Sequence, residues 1–577
     1  MQTNTLKVLS LALGTSVLFT ACDGLGKMIK KQDLITYEVT PKPLEMHADS
    51  VAVSVSGKYP AKLFAKKAVI TVTPVIKYNG GEKKLKPVVL VGEKATASGT
   101  KIAYEKGGTF SYTDKVAYEP GMKVAKLEIQ AQGAVKKKTK DFKGKEIADG
   151  TIITPLLVRN DEKGILAKDA FVKSVSANQS ASIYYTVNQS TVRPAELKSE
   201  EVKALTAFIA ANAKNTTWYD FKGLEVSAYA SPDGELSLNQ NLAGDRAKSG
   251  SNALANEFKK DKNKDNTFGK DIAAYKTVVT AEDWDGFKSL MEQSSIADKD
   301  LILRVLSMYA DGEQREKEIK NLSKTYKEVA DKILPKLRRS VLTVVVDKKS
   351  RTDEMINRLV DTNPDSLSVE ELLYAATLTQ DVNRQMNIFK SAEKYYAADW
   401  RTSNNLGVTY LLTNKIADAK SAFERADKAS PSNQTVQNNL GACVAKSGDR
   451  KAAMAYYEKA GSSPEVNYNK GVVYVRDAKY TEAVSAFGSY KGFNLALAQL
   501  LAGNPESVNG TIDASNEKDM AMSFYLKAVA AARKGDAAGL ASLKTAIEKD
   551  ASLKAWAKDD AEFLKWKDNA DFKALVN

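Results

Sequence analysis

The sequence predicts a multidomain α+β protein in three parts: an N-terminal β-sandwich-like module, a βαβαβ-type domain with a helical insertion, and a C-terminal all-α repeat array. Three observations predict it. Short alternating apolar runs fill residues 35–175. Leu224, Val226 and Ala228 alternate into a Ser231-Pro232-Asp233-Gly234 turn, after which the apolar spacing becomes helical. From Ser366 onward the same residue types return every 34 positions. A chain of 577 residues with 43% hydrophobic content has enough apolar material for several cores.

The first 22 residues, MQTNTLKVLSLALGTSVLFTAC, carry a positive Lys7 and an apolar stretch from Val8 to Phe19 that is too short to span a bilayer. Phe19-Thr20-Ala21-Cys22 resembles the bacterial lipobox. That resemblance implies a signal peptide over 1–22, removal at Cys22, and acylation of Cys22 as a membrane anchor, with several acyl chains binding far more firmly than one.

Residues 23–175 form the β-rich module. Runs such as AVITVTPVIKY, KPVVLVG and VAKLEIQAQG alternate in period two, and Gly, Pro, Asn and Lys clusters part them at sandwich-like spacing. The stretch holds 28 Lys/Arg against 17 Asp/Glu, most of the chain's net +14. The lysines are scattered among strands, which fits a solvated surface better than a binding patch. Tyr104, Tyr112 and Tyr118 read as packed strand aromatics. The single histidine, His47, reads as a surface residue; it excludes His-pair metal sites and disfavours Ser/His/Asp catalysis. Cys22 and Cys443 stand in unrelated contexts, so no disulfide framework is implied, and Cys443 reads as a small buried hydrophobe. No cofactor or metal is expected, nor a nucleic-acid partner for an exported chain.

The central domain spans 176–348. A strand is expected at 182–188 and a helix over 196–213 with Val202, Leu205, Phe208 and Ile209 on one face. The strand and turn of 224–234 follow, then a second helix, a strand at 275–279 and a closing strand at 341–346, with a helical insertion at about 284–333. Gly234, Asn239, Leu242, Arg246 and Ala247 fall in register with the motif of the OmpA-like, peptidoglycan-associating family, which this stretch resembles. The resemblance implies a site for the zwitterionic group of a peptidoglycan stem. Its candidates here are Ser231, Asp233, Asn239 and Arg246, with Arg246 able to fork onto a carboxylate. The family's acid is replaced by Ser231, and Asp233 stands two residues along.

After a linker at 349–365, residues 366–577 form the repeat array. Leu372, Leu406 and Leu440 are 34 apart, as are Phe389, Phe423 and Tyr457, and Ala392, Ala426 and Ala460. Gly407 and Gly441 repeat, and Gly471, Ala483 and Phe487 continue at a shortened offset. These residues resemble tetratricopeptide repeats (TPR). Ala521–Leu553 reads as a degenerate further pair and Phe563–Leu575 as a polar-faced cap. Asn405, Asn439 and Asn469 recur at one position of the first helices, accompanied by Arg401, Lys446 and Arg476. The resemblance implies an exposed concave groove in which the asparagines grip the backbone of an extended partner peptide, the amide offering both donor and acceptor.

These features together predict a non-enzymatic envelope lipoprotein, anchored in the outer membrane by its lipid and facing the periplasm. It would tether membrane to peptidoglycan, or recruit protein partners through the repeat groove. The alternative is a surface-exposed structural or anchor subunit of a fimbrial or secretion assembly without wall contact.

Overall fold

The computed structural model describes residues 24–260 and 267–577; the expected signal peptide and Cys22 lie outside them. It has a sheet-rich N-terminal region and a helical C-terminal region. The chain divides into two compact units. One combines the residues up to Ala167 with Tyr396–Asn577; the other is Lys168–Tyr395.

In the first unit, one sheet is built around Ser50–Tyr59, flanked by Gly108–Ala117 on one side and by Thr36–Thr40 and Leu44–His47 on the other. A second sheet centres on Val69–Tyr78 and Ala125–Val135, paired antiparallel along their length. Alternation buries Val51, Val53 and Val55 of the first sheet with Ile70, Val72, Leu127 and Ile129 of the second in one core. Regular strands end at Ile152. From Val158 to Ala167 the chain runs extended without joining a sheet, so the expected module boundary at 175 is too late. His47 is not a free surface residue: its Nδ1 meets the Tyr480 hydroxyl at 2.6 Å and its Nε2 meets Glu45 at 2.8 Å.

The rest of this unit is a stack of antiparallel helix pairs, beginning with Trp400–Leu412 and Ile416–Ala429, then Gln434–Lys446 and Arg450–Ala460, then Pro464–Arg476 and Tyr480–Phe487. The repeating glycines have a direct steric reason. A Cβ on Gly407 would lie 2.5 Å from Phe423, one on Gly441 2.6 Å from Tyr457, and one on Gly471 2.7 Å from Phe487. Each glycine lets the aromatic ring of the second helix press onto the backbone of the first. A pair the periodicity did not show, Phe493–Leu501 and Ser507–Asp513, follows before Ala521–Lys534 and Gly539–Lys549. The terminal segment is not merely a polar-faced cap. Phe563 and Trp566 stack 5.2 Å apart inside the core, and buried Glu562 accepts from Arg533 and from Thr154 of the β module.

In the second unit, Arg339–Lys349 is the hub of a five-stranded sheet. It pairs antiparallel with Ser174–Ser176 and Gln179–Tyr184 on one side and with Tyr219–Tyr229 on the other; Tyr275–Thr280 adds in parallel at the edge. Helices Glu200–Asn212, capped by Ser199, and Leu236–Lys259 supply Val202, Leu205, Ile209, Leu254 and Phe258 to its core. The insertion runs from Trp284 to Leu337 as five helices with their own core around Phe287, Met291, Ile302 and Val329. The expected linker at 349–365 is instead largely the helix Asp353–Thr362, capped by Thr352. Helices Val369–Thr377 and Val382–Tyr395, the first expected repeat, also lie in this unit.

Candidate functional site: a peptide groove filled in cis

The groove of the first unit holds an extended peptide, and that peptide is the chain's own Arg159–Ala167. Asn405 accepts from the Ala167 N–H at 2.7 Å and donates to its carbonyl at 2.9 Å. Asn439 does the same to Ile165 at 2.8 and 2.9 Å, and Asn469 to Lys163 at 2.6 and 2.9 Å. Successive rungs thus read every second residue, the period of an extended chain. The ladder ends on Arg159, whose N–H and carbonyl pair with Asn494 at 2.9 and 3.1 Å.

A second rail stands behind the first. Asn404 donates to the Ile165 carbonyl and Asn438 to the Lys163 carbonyl, at 3.0 and 2.9 Å. The rails are tied together: Asn439 donates to Asn404 Oδ1 at 2.8 Å and Asn469 to Asn438 Oδ1 at 3.0 Å. Each of these amides uses both of its N–H groups, as a buried amide must. The asparagines were expected to be exposed; they are at most 2% exposed, because the segment covers them.

The expected basic residues divide. Lys446 donates to the Asn160 carbonyl and stands 3.6 Å from Glu162, and Arg476 donates to the Asn160 side chain. Arg401 pairs with Asp399 at its own helix start, at 2.7 Å. Glu162 is 6% exposed, its Oε2 has the Lys446 ion pair but no hydrogen-bond partner, and burial raises its carboxyl above the usual range. Cys443, behind this point, is buried, and burial pushes its thiol up to about 12. Sequence reasoning missed Asn404, Asn438, Asn494 and Tyr468. The first two were visible as Asn-Asn pairs that recur 34 apart.

In the second unit, Ser231, Asp233, Asn239 and Arg246 do gather at one end of the sheet, but not as an open ligand clamp. Arg246 is 1% exposed, and its guanidinium donates to the carbonyls of Gln189 and Tyr229 at 3.0 Å each and of Thr186 at 3.5 Å. The role of carboxylate fork expected for Arg246 is therefore corrected: its donors tie loop to strand, and burial lowers its pKa to about 10. Asn239 is buried and points back to the turn carbonyls of Asp233 and Gly234, both at 3.5 Å. The partner that sequence reasoning missed is Arg338, which donates to Ser231 Oγ at 3.1 Å and stands 3.5 Å from Asp233. The insertion closes over the turn, with Glu316 accepting from the Gly234 N–H at 2.7 Å. Among the described residues no group of His, Cys, Asp and Glu is placed to hold a metal ion, and no helix is long and apolar enough to cross a membrane.

Residues 401–433, the first helix pair of the groove, match the tetratricopeptide repeat family. This stretch is a tetratricopeptide repeat, a module of protein–protein interaction. No curated protein matches the chain. Among solved structures, the chain is similar to the APC/C hetero-tetramer Cut9–Hcn1, at 13% identity and a TM-score of 0.30, over 38% of this chain and 44% of that one. It is also similar to YrrB, a TPR protein with an unusual peptide-binding site, at 19% identity and a TM-score of 0.21, over 35% of this chain and 94% of that one. A third is PilW, a type IV pilus biogenesis factor, at 15% identity and a TM-score of 0.27, over 40% and 100%. The match spans less than half the length of the first of these.

Proposed function

We propose that the protein is a non-enzymatic scaffold of a bacterial cell envelope, anchored in the outer membrane through Cys22 and organised by its repeats for contact with other proteins. One observation carries the reading: the asparagine ladder grips a polypeptide backbone along Arg159–Ala167. By holding the connector that leaves the β module, the repeats join the two parts of the first unit. Contacts such as Arg450 with Asp49 at 2.7 Å and Glu562 with Thr154 support the same role. The lipobox-like residues 19–22 support the anchor.

Two measurements test this. Cys22→Ala is expected to abolish labelling by an alkyne fatty acid and move the protein out of the membrane fraction; equal labelling of both forms rejects the anchor. Cross-linking in whole cells is expected to capture defined protein partners of the wild type. Recovery of sacculus fragments without any protein rejects the scaffold.

A second reading, an anchor subunit of a surface or secretion assembly without wall contact, is favoured by the closed state of the 231–234 turn. Protease shaving of intact cells separates the two, since only a surface subunit is cleaved.

A further inference from the structure

The asparagine ladder by itself does not fix which residues occupy it. Its bonds go to backbone N–H and C=O groups, and every non-proline residue offers both. A slip by two residues along an extended segment presents the same groups to the same amides. The register is distinguished by the side chains of Arg159, Asp161 and Lys163, two apart and so on one face. The Arg159 guanidinium lies over the Phe493 ring, 4.3 Å from its centroid, and pairs with Glu517. Glu517 is fixed by the Phe493 N–H. Asp161 accepts from the Tyr468 hydroxyl at 2.8 Å and from Asn494 at 3.1 Å. The Lys163 ammonium stands 4.6 Å over the Tyr468 ring and pairs with Asp161 at 2.9 Å. Next to it, a Cβ on Gly164 would come within 3.3 Å of Val408. A two-residue slip toward Phe493 would set Asp161 against Glu517, carboxylate on carboxylate, and bring Lys163 to the donors that now hold Asp161.

The groove and its occupant are also distant in the chain. The segment closes the stretch that ends at Ala167, the groove opens the stretch that starts at Tyr396, and the whole second unit lies between them in sequence. That topology is the one that permits exchange of an identical element between copies. We propose that the groove is a sequence-selective receptor for the segment Arg159–Gly164, and that it accepts this segment from a second copy of the chain as it does in cis, giving an exchanged dimer. The β-module contacts of Thr154 with Glu562 and of Asp49 with Arg450 travel with the segment and extend the same interface. The proposal rests on the ladder reading above.

The test uses two full-length variants with different tags. Arg159→Glu/Asp161→Lys disables the segment and leaves the groove; Asn439→Ala/Asn469→Ala disables the groove and leaves the segment. Only exchange unites an intact segment with an intact groove. Co-expression is expected to give a one-to-one heterodimer by size exclusion with light scattering, while each variant alone is monomeric. Two folded variants that stay monomeric together overturn the proposal, as does a dimer formed from two segment-disabled copies. Should the groove variant lose its helical signal, a fluorescent peptide of residues 158–168 titrated into the segment-disabled chain decides the matter. It is expected to bind saturably and at least tenfold more tightly than its Arg159→Glu form; no binding, or equal binding, overturns the proposal. Amide exchange at Lys163, Ile165 and Ala167 of the wild type shows separately whether the ladder forms, so failure of exchange and failure of the ladder are distinguishable.

Discussion

Asn439→Ala is the most informative single substitution. The residue is fully buried, accepts from the Ile165 N–H and from Asn438, and donates to the Ile165 carbonyl and to Asn404. Truncation orphans three buried groups: the Ile165 N–H, Asn404 Oδ1 and one N–H of Asn438. The Ile165 carbonyl keeps Asn404 as its donor. An orphaned buried polar group costs about 1–3 kcal/mol, so with three of them the segment should be held about 3–9 kcal/mol less firmly. The core pairs, such as Gly441 under Tyr457, are untouched.

Because a chain of several domains does not unfold in one step, a single unfolding free energy is the wrong readout. Amide exchange at Lys163, Ile165 and Ala167 isolates the ladder. Even the lower figure corresponds to acceleration by about a hundredfold, at about 1.4 kcal/mol per factor of ten. Leu166→Ser, at a position 42% exposed on the outer side of the segment, is the control and should move exchange little. Acceleration below threefold in Asn439→Ala, with the repeats folded, would refute the claim that the ladder holds the segment.

Other substitutions probe the remaining elements. Arg246→Ala should destabilise the second unit by about 2–4 kcal/mol through loss of its bonds to the Gln189 and Tyr229 carbonyls, read as a lowered melting transition; an unchanged transition would restore Arg246 to ligand duty. Cys443, with its thiol pushed up to about 12 and 1% exposed, should resist maleimide at pH 8 in the folded chain and react fully in urea. Burial raises the Glu162 carboxyl above 4.5, so the stabilisation it gives is fully present below that pH and is lost as pH rises through the raised value. Segment exchange, corrected for intrinsic rates, should therefore quicken on going from acid to neutral pH, and Glu162→Gln should flatten the profile.

What the sequence discloses depends on how locally each feature is determined. The 34-residue register is local: Gly407 and Phe423 sit in one helix pair, and their steric need for one another recurs at Gly441 with Tyr457. The asparagine positions are legible for the same reason. The occupant is not, because Arg159–Ala167 has neither strand nor helix periodicity and meets its amides across more than two hundred residues. The motif around Arg246 is legible, yet its role depends on carbonyls of Gln189 and Tyr229, which carry no side-chain signature. Arg338 lay hidden in a basic run, Lys336-Leu337-Arg338-Arg339, where nothing separates a surface cation from the one that reaches Ser231.

Both sites expected from the sequence are closed by the chain itself, the groove by its connector and the 231–234 turn by Glu316 and Arg338. Closure has a calculable consequence. A ligand that needs an open groove sees an affinity reduced by the fraction of molecules that are open. If opening costs as much as the loss of one ladder rung, about 3 kcal/mol or more, that fraction is about one per cent or less. An external peptide gripped only by its backbone gains nothing over the segment already in place, whose effective concentration is set by covalent connection. A competitor must therefore match the side-chain register of Arg159, Asp161 and Lys163 and also bring surface of its own, as a second copy does through Thr154 and Asp49. Partners lacking that pattern are left to surfaces that stay open, so groove substitutions should weaken self-association while sparing capture of unrelated proteins.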